Sequence, residues 1–362
     1  MKTRTISILG PPIIALLGIT VSSDVNADMT IKRIVNCDKG MDVQRVLDRN
    51  FFSLPLELRL VGNCRSFSIS HDDVAIFPRY DDVCPGATIQ GTVEIEGGAI
   101  VEMSCIDVVY SAEEEGEAGL MIIGSQATFE NVNVRGFSEA GATVDAGGWM
   151  EFIGGTLSGN NEGVVLQFGY AVLEDVDISN NDGNAIRAEN NSYVEFGGGA
   201  VMNNGEYGIE IASSSVLSME ETIVSNNGIN GIIVRGSSRA DIIGAVITDH
   251  TESGLVITDN SSVRWNGGEI ARNGENGIFV TSHSTLRVLP GELQEGKATE
   301  IVDNDLAGIF LAQDAGAYLS GAYVPPNGNG NAITCDGKEA SVDFSSSPMI
   351  NPTYVDCSDP DF

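Results

Sequence analysis

Seven side chains between residues 162 and 235 have the types and spacing for chemistry on a polyhydroxylated substrate: Glu162, Arg187, Glu189, Glu206, Tyr207, Glu210 and Arg235. Each lies within four residues of a small residue (Gly163, Ala185, Gly208 or Gly231) that opens an alternating apolar run. In an alternating strand, the positions two and four after the start share the outward face. Arg187, Glu189, Glu210 and Arg235 fall on those positions, while Glu162, Glu206 and Tyr207 fall on the turn leading into the run. An offset of two residues plus one strand step separates carboxylates by roughly 8 Å, inside the range for the acid and base of inverting glycosidases. Glu162, Glu206 and Glu210 are therefore candidate catalytic carboxylates. Arg187, Glu189, Tyr207 and Arg235 are candidate substrate-binding groups, with Tyr207 as a sugar platform. The competing reading is a wet outer face laced by cross-strand ion pairs, with Arg187 opposite Glu210.

The elements that must position these groups come from a repeat. Starts fall at Gly119, Gly141, Gly163, Ala185, Gly208, Gly231, Gly254, Gly277 and Gly308, in steps of 22 or 23 residues and one of 31. A second apolar phrase is centred on Phe129, Phe152, Leu173, Phe196, Met219, Ile242, Trp265, Val288 and Leu319. Five residues later a third apolar position recurs, from Val134 to Ile270, with Leu293 or Ile301 next and Val324 last. A polar column of Asn160, Asn181, Asn204, Asn227, His250, Asn273 and Asn304 precedes the next start. No segment is long enough to carry helical periodicity over a core. A repeat of this length cannot bury its apolar face alone and must stack on its neighbours. Asn tolerates left-handed backbone and can hydrogen-bond up a ladder, and Gly at the start permits a sharp turn.

This pattern resembles the right-handed parallel β-helices of the pectate-lyase-like superfamily. The resemblance implies an all-β, single-stranded right-handed solenoid with coils of 22–23 residues, an N-terminal helical cap and a C-terminal cap. The phrase from Val35 to Asp48, followed by Leu56 to Cys64, resembles the cap and first strand of exported β-helix proteins. Polygalacturonase-like hydrolases share the Gly-Ile-x-Ile strands but add NTD, DD, GHG and RIK motifs. The equivalent turns here, such as Asn161-Glu162-Gly163 and Glu206-Tyr207-Gly208, carry none of them. The calcium carboxylates and basic residue of pectate-lyase-like enzymes have no visible match either.

Residues 1–27 read as a signal peptide, with Lys2 and Arg4 before an apolar run and Val25-Asn26-Ala27 as a cleavage site. Residues 28–55 form the N-terminal cap, with a short helix over 42–49 and Asp42 near its N-cap. The solenoid spans 56–324 and residues 325–362 form the C-terminal cap and tail. The apolar run near the N-terminus is short and holds Pro11 and Pro12, so no membrane span is expected. Six cysteines suit an oxidising compartment, periplasmic or extracellular. Six allow 15 connectivities, and proximity alone couples Cys37 with Cys64, Cys84 with Cys105 and Cys335 with Cys357.

The formal charge of −32 disfavours nucleic acid and an unassisted grip on anionic polysaccharide. No cofactor is fixed by the sequence; Ca2+ is the ion that the acidic loop at 111–118 or the acid residues Glu151, Glu174, Glu195, Glu220 and Asp241 could take. Ile233, Val256, Phe279 and Phe310 form an outward apolar column, expected to be covered by the C-terminal tail or the long loop at 289–297. His250 stands in an Asn slot and is expected to replace Asn there. The leading function is an exported protein that binds polysaccharide or a cell-surface glycan along an outer strand face. The alternatives are a polysaccharide hydrolase or lyase centred on Glu162–Glu210, and a structural or adhesive surface protein.

Overall fold

The structure, a computed structural model, describes residues 30–49, 55–70, 73–79, 84, 86–114, 116–289, 299–320, 322–336, 341–343 and 355–356. The expected signal peptide and the loop at 290–298 lie outside the described residues. So does Cys357, and with it the expected couple Cys335–Cys357. The chain winds into a parallel β-solenoid of about 12 turns, close to 23 residues each. Every strand pairing is parallel and joins one coil to the next. The recurring starts lie on the first sheet, the second phrase on a second sheet and the third apolar position on a third.

Alternation places the core as the sequence requires. Ile209, Ile232 and Leu255 are buried on the first sheet, Phe196, Met219, Ile242 and Trp265 on the second, and Val201, Val224 and Ile247 on the third. In the long repeat Ile301, not Leu293, takes the third position and pairs with Ile270. The helix forms over Val43–Leu47, with the Asp42 carboxylate accepting from the Arg45 N–H. Val43 and Leu47 join the core at the N-terminal end. Disulfides Cys37–Cys64 and Cys84–Cys105 form as the spacing suggests. In the first coils the strands Leu56–Ile69 and Ala87–Ile95 each run through a bend at a left-handed glycine, Gly62 and Gly91.

The polar column is a buried hydrogen-bond ladder. Each side chain accepts the backbone N–H of its counterpart one coil earlier: Asn181 N–H to Asn204 Oδ1 at 3.1 Å, Asn204 N–H to Asn227 Oδ1 at 3.0 Å. The amide nitrogens donate onward, as from Asn204 Nδ2 to the Ile178 carbonyl at 3.2 Å. Asn327 extends the ladder by one step, accepting from Asn304 N–H at 2.8 Å. The left-handed backbone that Asn tolerates belongs to the residue before: Gly159, Asn180, Asn203, Asn226, Asp249, Arg272 and Asp303. Turning and hydrogen bonding are thus split between neighbours, which corrects the expectation that one Asn does both. The starting glycines also have another reason. None is in the left-handed region, but a Cβ at Gly254 would sit 2.8 Å from Asn273 Nδ2 and 2.9 Å from the Gly277 carbonyl. The ladder and the next coil occupy the space that a side chain would need.

A second ladder was not read from the sequence. Ser192, Ser215, Ser238, Ser261 and Ser284 recur every 23 residues, all buried. Each hydroxyl accepts the preceding coil's N–H, as from Ser192 N–H to Ser215 Oγ at 3.1 Å.

His250 replaces Asn as expected. Its Nδ1 accepts from Asn227 N–H at 3.1 Å and its Nε2 lies 3.2 Å from the Val224 carbonyl, which fixes the neutral tautomer with the proton on Nε2. Burial pushes the imidazole down to about 4.

Two outcomes test the ladder. Asn204→Ala strands the Asn181 N–H and Nδ2 donors and costs about 3 kcal/mol in urea unfolding. Asn203→Gly, at the left-handed position beside it, stays within about 1 kcal/mol of the parent. For His250, the unfolded chain protonates below the ordinary histidine value while the folded chain does not. Stability is therefore present above about pH 6.5 and lost as pH falls toward about 4, by about 3 kcal/mol. His250→Asn removes that increment, so its unfolding free energy falls less than the parent's between pH 7 and pH 4; equal losses would sink the assignment.

Candidate functional site

The first sheet sets the outward columns by register. Val165, Arg187, Glu210, Ile233, Val256, Phe279, Phe310 and Thr334 stand in one column. Asp145, Gln167 and Glu189 stand in the neighbouring one. Five of the seven candidate residues meet there as an alternating chain of charges. Arg187 holds Glu162 through both carboxylate oxygens, Nε to Oε1 at 2.7 Å and Nη2 to Oε2 at 2.6 Å. Its Nη1 donates to Glu189 at 3.1 Å. Arg235 lies 3.9 Å from Glu189 and 2.6 Å from Glu210. The order Glu162–Arg187–Glu189–Arg235–Glu210 crosses four successive coils.

Arg187 is opposite Glu210 in register, as the sequence suggested, but bonds Glu162 instead. The guanidinium reaches past its own column to the preceding coil's turn. Arg235, Arg264, Arg272 and Arg135 likewise reach back one coil, to Glu210, Asp241, Asp249 and Asp107. Glu210 is the most enclosed of the carboxylates: its second oxygen accepts from Asn184 Nδ2 at 2.9 Å. The Glu162 hydrogen bonds hold Arg187 firmly charged, and those of Glu210 do the same for Arg235.

The other two candidates stand apart from this chain. Tyr207 is half-buried on the turn, its N–H donating to Asn184 Oδ1 at 3.1 Å. Burial first, then the charges of Glu210 and Glu252, raise its phenol. Glu206 is exposed, and its backbone joins the turn stack through Gly183 and Ile229.

Beside the charged chain lies a cavity of about 500 Å³ whose lining includes Glu139, Asp145, Glu162, Gln167 and Arg187. Glu139 was missed from the sequence. Its backbone links it to the acids of the adjoining coils, the Glu139 N–H donating to the Glu117 carbonyl at 2.9 Å and the Glu162 N–H to the Glu139 carbonyl at 2.7 Å, while Glu162 itself stands in register with Ala140. The readable signal was acid recurrence just before three consecutive starts. The residue is exposed, and partial desolvation of its carboxyl, with the Glu117 carboxylate and the Glu162 charge, raises it.

The remaining sequence candidates resolve as follows. Ile233 and Val256 are buried; Phe279 and Phe310 are half-buried, with ring centroids 5.5 Å apart. The loop expected to cover this column lies outside the described residues, as does most of the tail. The acid residues on the second sheet occupy two columns, not one: Glu151, Glu195 and Asp241 alternate with Val172 and Ser218, and Glu174 and Glu220 flank Gly197. This spacing keeps like charges from facing each other directly. Among the described residues, no three acid, His or Cys side chains come together to hold a metal ion. No helix is long and apolar enough to cross a membrane among them. His283 pairs with Asp314 at 3.1 Å on an exposed corner, and His71 lies outside the described residues.

Comparison with solved structures finds the same architecture. A periplasmic alginate epimerase, AlgG, aligns with a TM-score of 0.59 at 12% identity, over 87% of this chain and 84% of that one. The A-module of the Azotobacter vinelandii mannuronan C-5 epimerase AlgE6 aligns with a TM-score of 0.53 at 13% identity, over 86% and 96%. At such identities the likeness is one of fold. No curated protein matches the sequence. The family model described as right handed beta helix region matches residues 93–246 and 199–347, and the chain belongs to that family.

Proposed function

We propose that this is an exported β-helix protein, cleaved near Ala27, that binds polysaccharide along the outer face of the first sheet. The observation that carries the reading is the charged chain Glu162–Arg187–Glu189–Arg235–Glu210, laid over four coils beside a cavity of about 500 Å³. Such a volume falls in the range of small-ligand pockets. Planar guanidinium and carboxylate groups offer paired donors and acceptors to sugar hydroxyls. The two disulfides suit an oxidising compartment. The fold neighbours named for acting on alginate and mannuronan support a polysaccharide partner.

Binding is favoured over turnover because the inner carboxylates are already engaged. Glu162 gives both oxygens to Arg187, and Glu210 gives one each to Arg235 and Asn184. A general acid or base needs a free oxygen facing the reacting bond, and these oxygens already have partners within the protein. One observation favours a catalytic second reading: Glu139 lines the cavity and its carboxyl is raised by partial desolvation and Glu117. In an enzyme of this design Glu139, not Glu206 or Glu210, would be the acid, with Glu162 beside it.

The test is a polysaccharide panel, read by affinity electrophoresis and by release of reducing ends and unsaturated products. The parent is retained by at least one polymer without cleaving it, and Arg187→Gln with Arg235→Gln weakens retention about tenfold or more. Cleavage abolished by Glu139→Gln would transfer the site to the catalytic reading. Retention unchanged in the double variant would remove this face from the binding role.

A further inference from the structure

Phe168 breaks two rules of its own fold. At 57% exposure it is the most exposed large hydrophobic among the described residues. Its backbone also sits at φ +56°. That region is disfavoured for a residue with a Cβ, least for Asn and Asp. The neighbouring coils turn the same corner with Ala146, Asn190 and Asn191, Ser213 and Ser214, and later with Asp259 and Asn260. Phe168 is the one Phe, Tyr or Trp in the left-handed region among the described residues. Burial does not hold it there, since the core phenylalanines Phe129, Phe152 and Phe196 are fully enclosed. The left-handed turn itself belongs to the coil, but an exposed ring in place of the small or polar residue that the other coils use is not required by it.

Its position fits one. Gln167, the residue before it, lines the cavity that holds Arg187 and Glu162. Gln167 stands in register with Asp145 and Glu189. Phe168 thus follows directly on a cavity-lining residue, at the end of the strand Glu162–Gln167. The nearby aromatic pair Tyr170–Tyr193 cannot play the same part. Those rings stack face to face, 4.7 Å apart and within 4° of parallel, so each covers the other.

We infer that Phe168 is a sugar-stacking platform at the edge of this cavity and that the site takes a neutral pyranose chain. The apolar C–H face of a pyranose packs on an exposed aromatic ring, while its hydroxyls meet the Arg187, Gln167 and carboxylate groups. The neutral class follows from charge. The cavity sets Glu139, Asp145 and Glu162 against the single guanidinium of Arg187, in a chain of net charge −32. A uronate polymer meets repulsion there. This inference rests on the polysaccharide-binding reading and adds the substrate class and the platform residue.

The experiment is calorimetric titration of the full mature protein with cellohexaose, mannohexaose and xylohexaose, and with an oligogalacturonate of equal length. Two variants accompany the parent: Phe168→Asn, which suits the left-handed backbone and keeps the fold, and Phe168→Trp, which keeps an aromatic face. The parent binds at least one neutral hexaose and binds it more tightly than the oligogalacturonate. Phe168→Asn melts no lower than the parent and loses affinity about tenfold, while Phe168→Trp retains it. A Phe168→Asn variant that binds like the parent overturns the platform and leaves the binding reading standing. Tighter binding of the oligogalacturonate overturns the neutral class. A parent that binds none of the four overturns the platform and the polysaccharide-binding reading together.

Discussion

From Phe137 to Asn304 each coil of this solenoid buries a backbone N–H at the same corner, and the side chain one coil further on supplies its acceptor. An unpaired buried N–H is costly, so the acceptor cannot be omitted on any of these coils. The rest of the architecture adapts to this. The residue before the acceptor takes the left-handed turn, so that the acceptor can point inward. The start of the next strand is stripped to glycine, because the ladder amide fills the space a side chain would use. Even the long repeat obeys: Asn273 still bonds Asn304, and Ile270 still pairs with Ile301.

A register fixed in this way also fixes the surface. With one coil locked to the next, each outward position becomes a column, and the chemistry of a face becomes a sequence of side chains along the axis. Arg187, Glu210, Ile233 and Phe279 belong to one column because their inward neighbours Ile186, Ile209, Ile232 and Ile278 belong to one core. The ladder that stabilises the fold is therefore also what holds a binding face in place, with little freedom left to its backbone. Such a site depends on rigid elements rather than on loops.

This division explains what the sequence made legible. Period and alternation are properties of the chain, so the coil length, the three strand phrases, the inward residues and the membership of each outward column could be read directly. The meeting of Arg187, Glu189, Glu210 and Arg235 follows from column membership alone. The choice of Glu162 as the partner of Arg187 does not, because it depends on how far and in which direction a long side chain reaches across a turn. Glu139 escaped for a related reason: it lies on the turn before the strand, where alternation gives no address, and only the stacking of backbone amides puts it beside Glu162. The serine ladder was legible in principle, at a constant step of 23 residues, but serine in a turn reads as ordinary loop chemistry until its hydroxyl is seen to be buried. Gly62 and Gly91 stand inside strands of the first coils. In the fold they are bends, and pairing with adjacent coils carries the strand through them.

The same fold serves very different chemistry, so shape alone argues little about function. The argument has to come from departures that the fold does not require. Most charges on this molecule are compatible with a solvated acidic surface. The chain from Glu162 to Glu210 is different, because two guanidiniums there balance two of three carboxylates within an otherwise strongly acidic protein. A compact, nearly neutral patch of fixed donors and acceptors is poorly suited to attract ions at long range, and well suited to a ligand that carries many hydroxyls and no charge. Phe168 departs from the fold in the opposite sense, adding exposed apolar surface where the backbone favours a small polar residue. Fixed polar groups and an exposed ring on one edge are the two halves of what a pyranose presents, its hydroxyl rim and its C–H face, and neither half is demanded by the ladder that builds the coil.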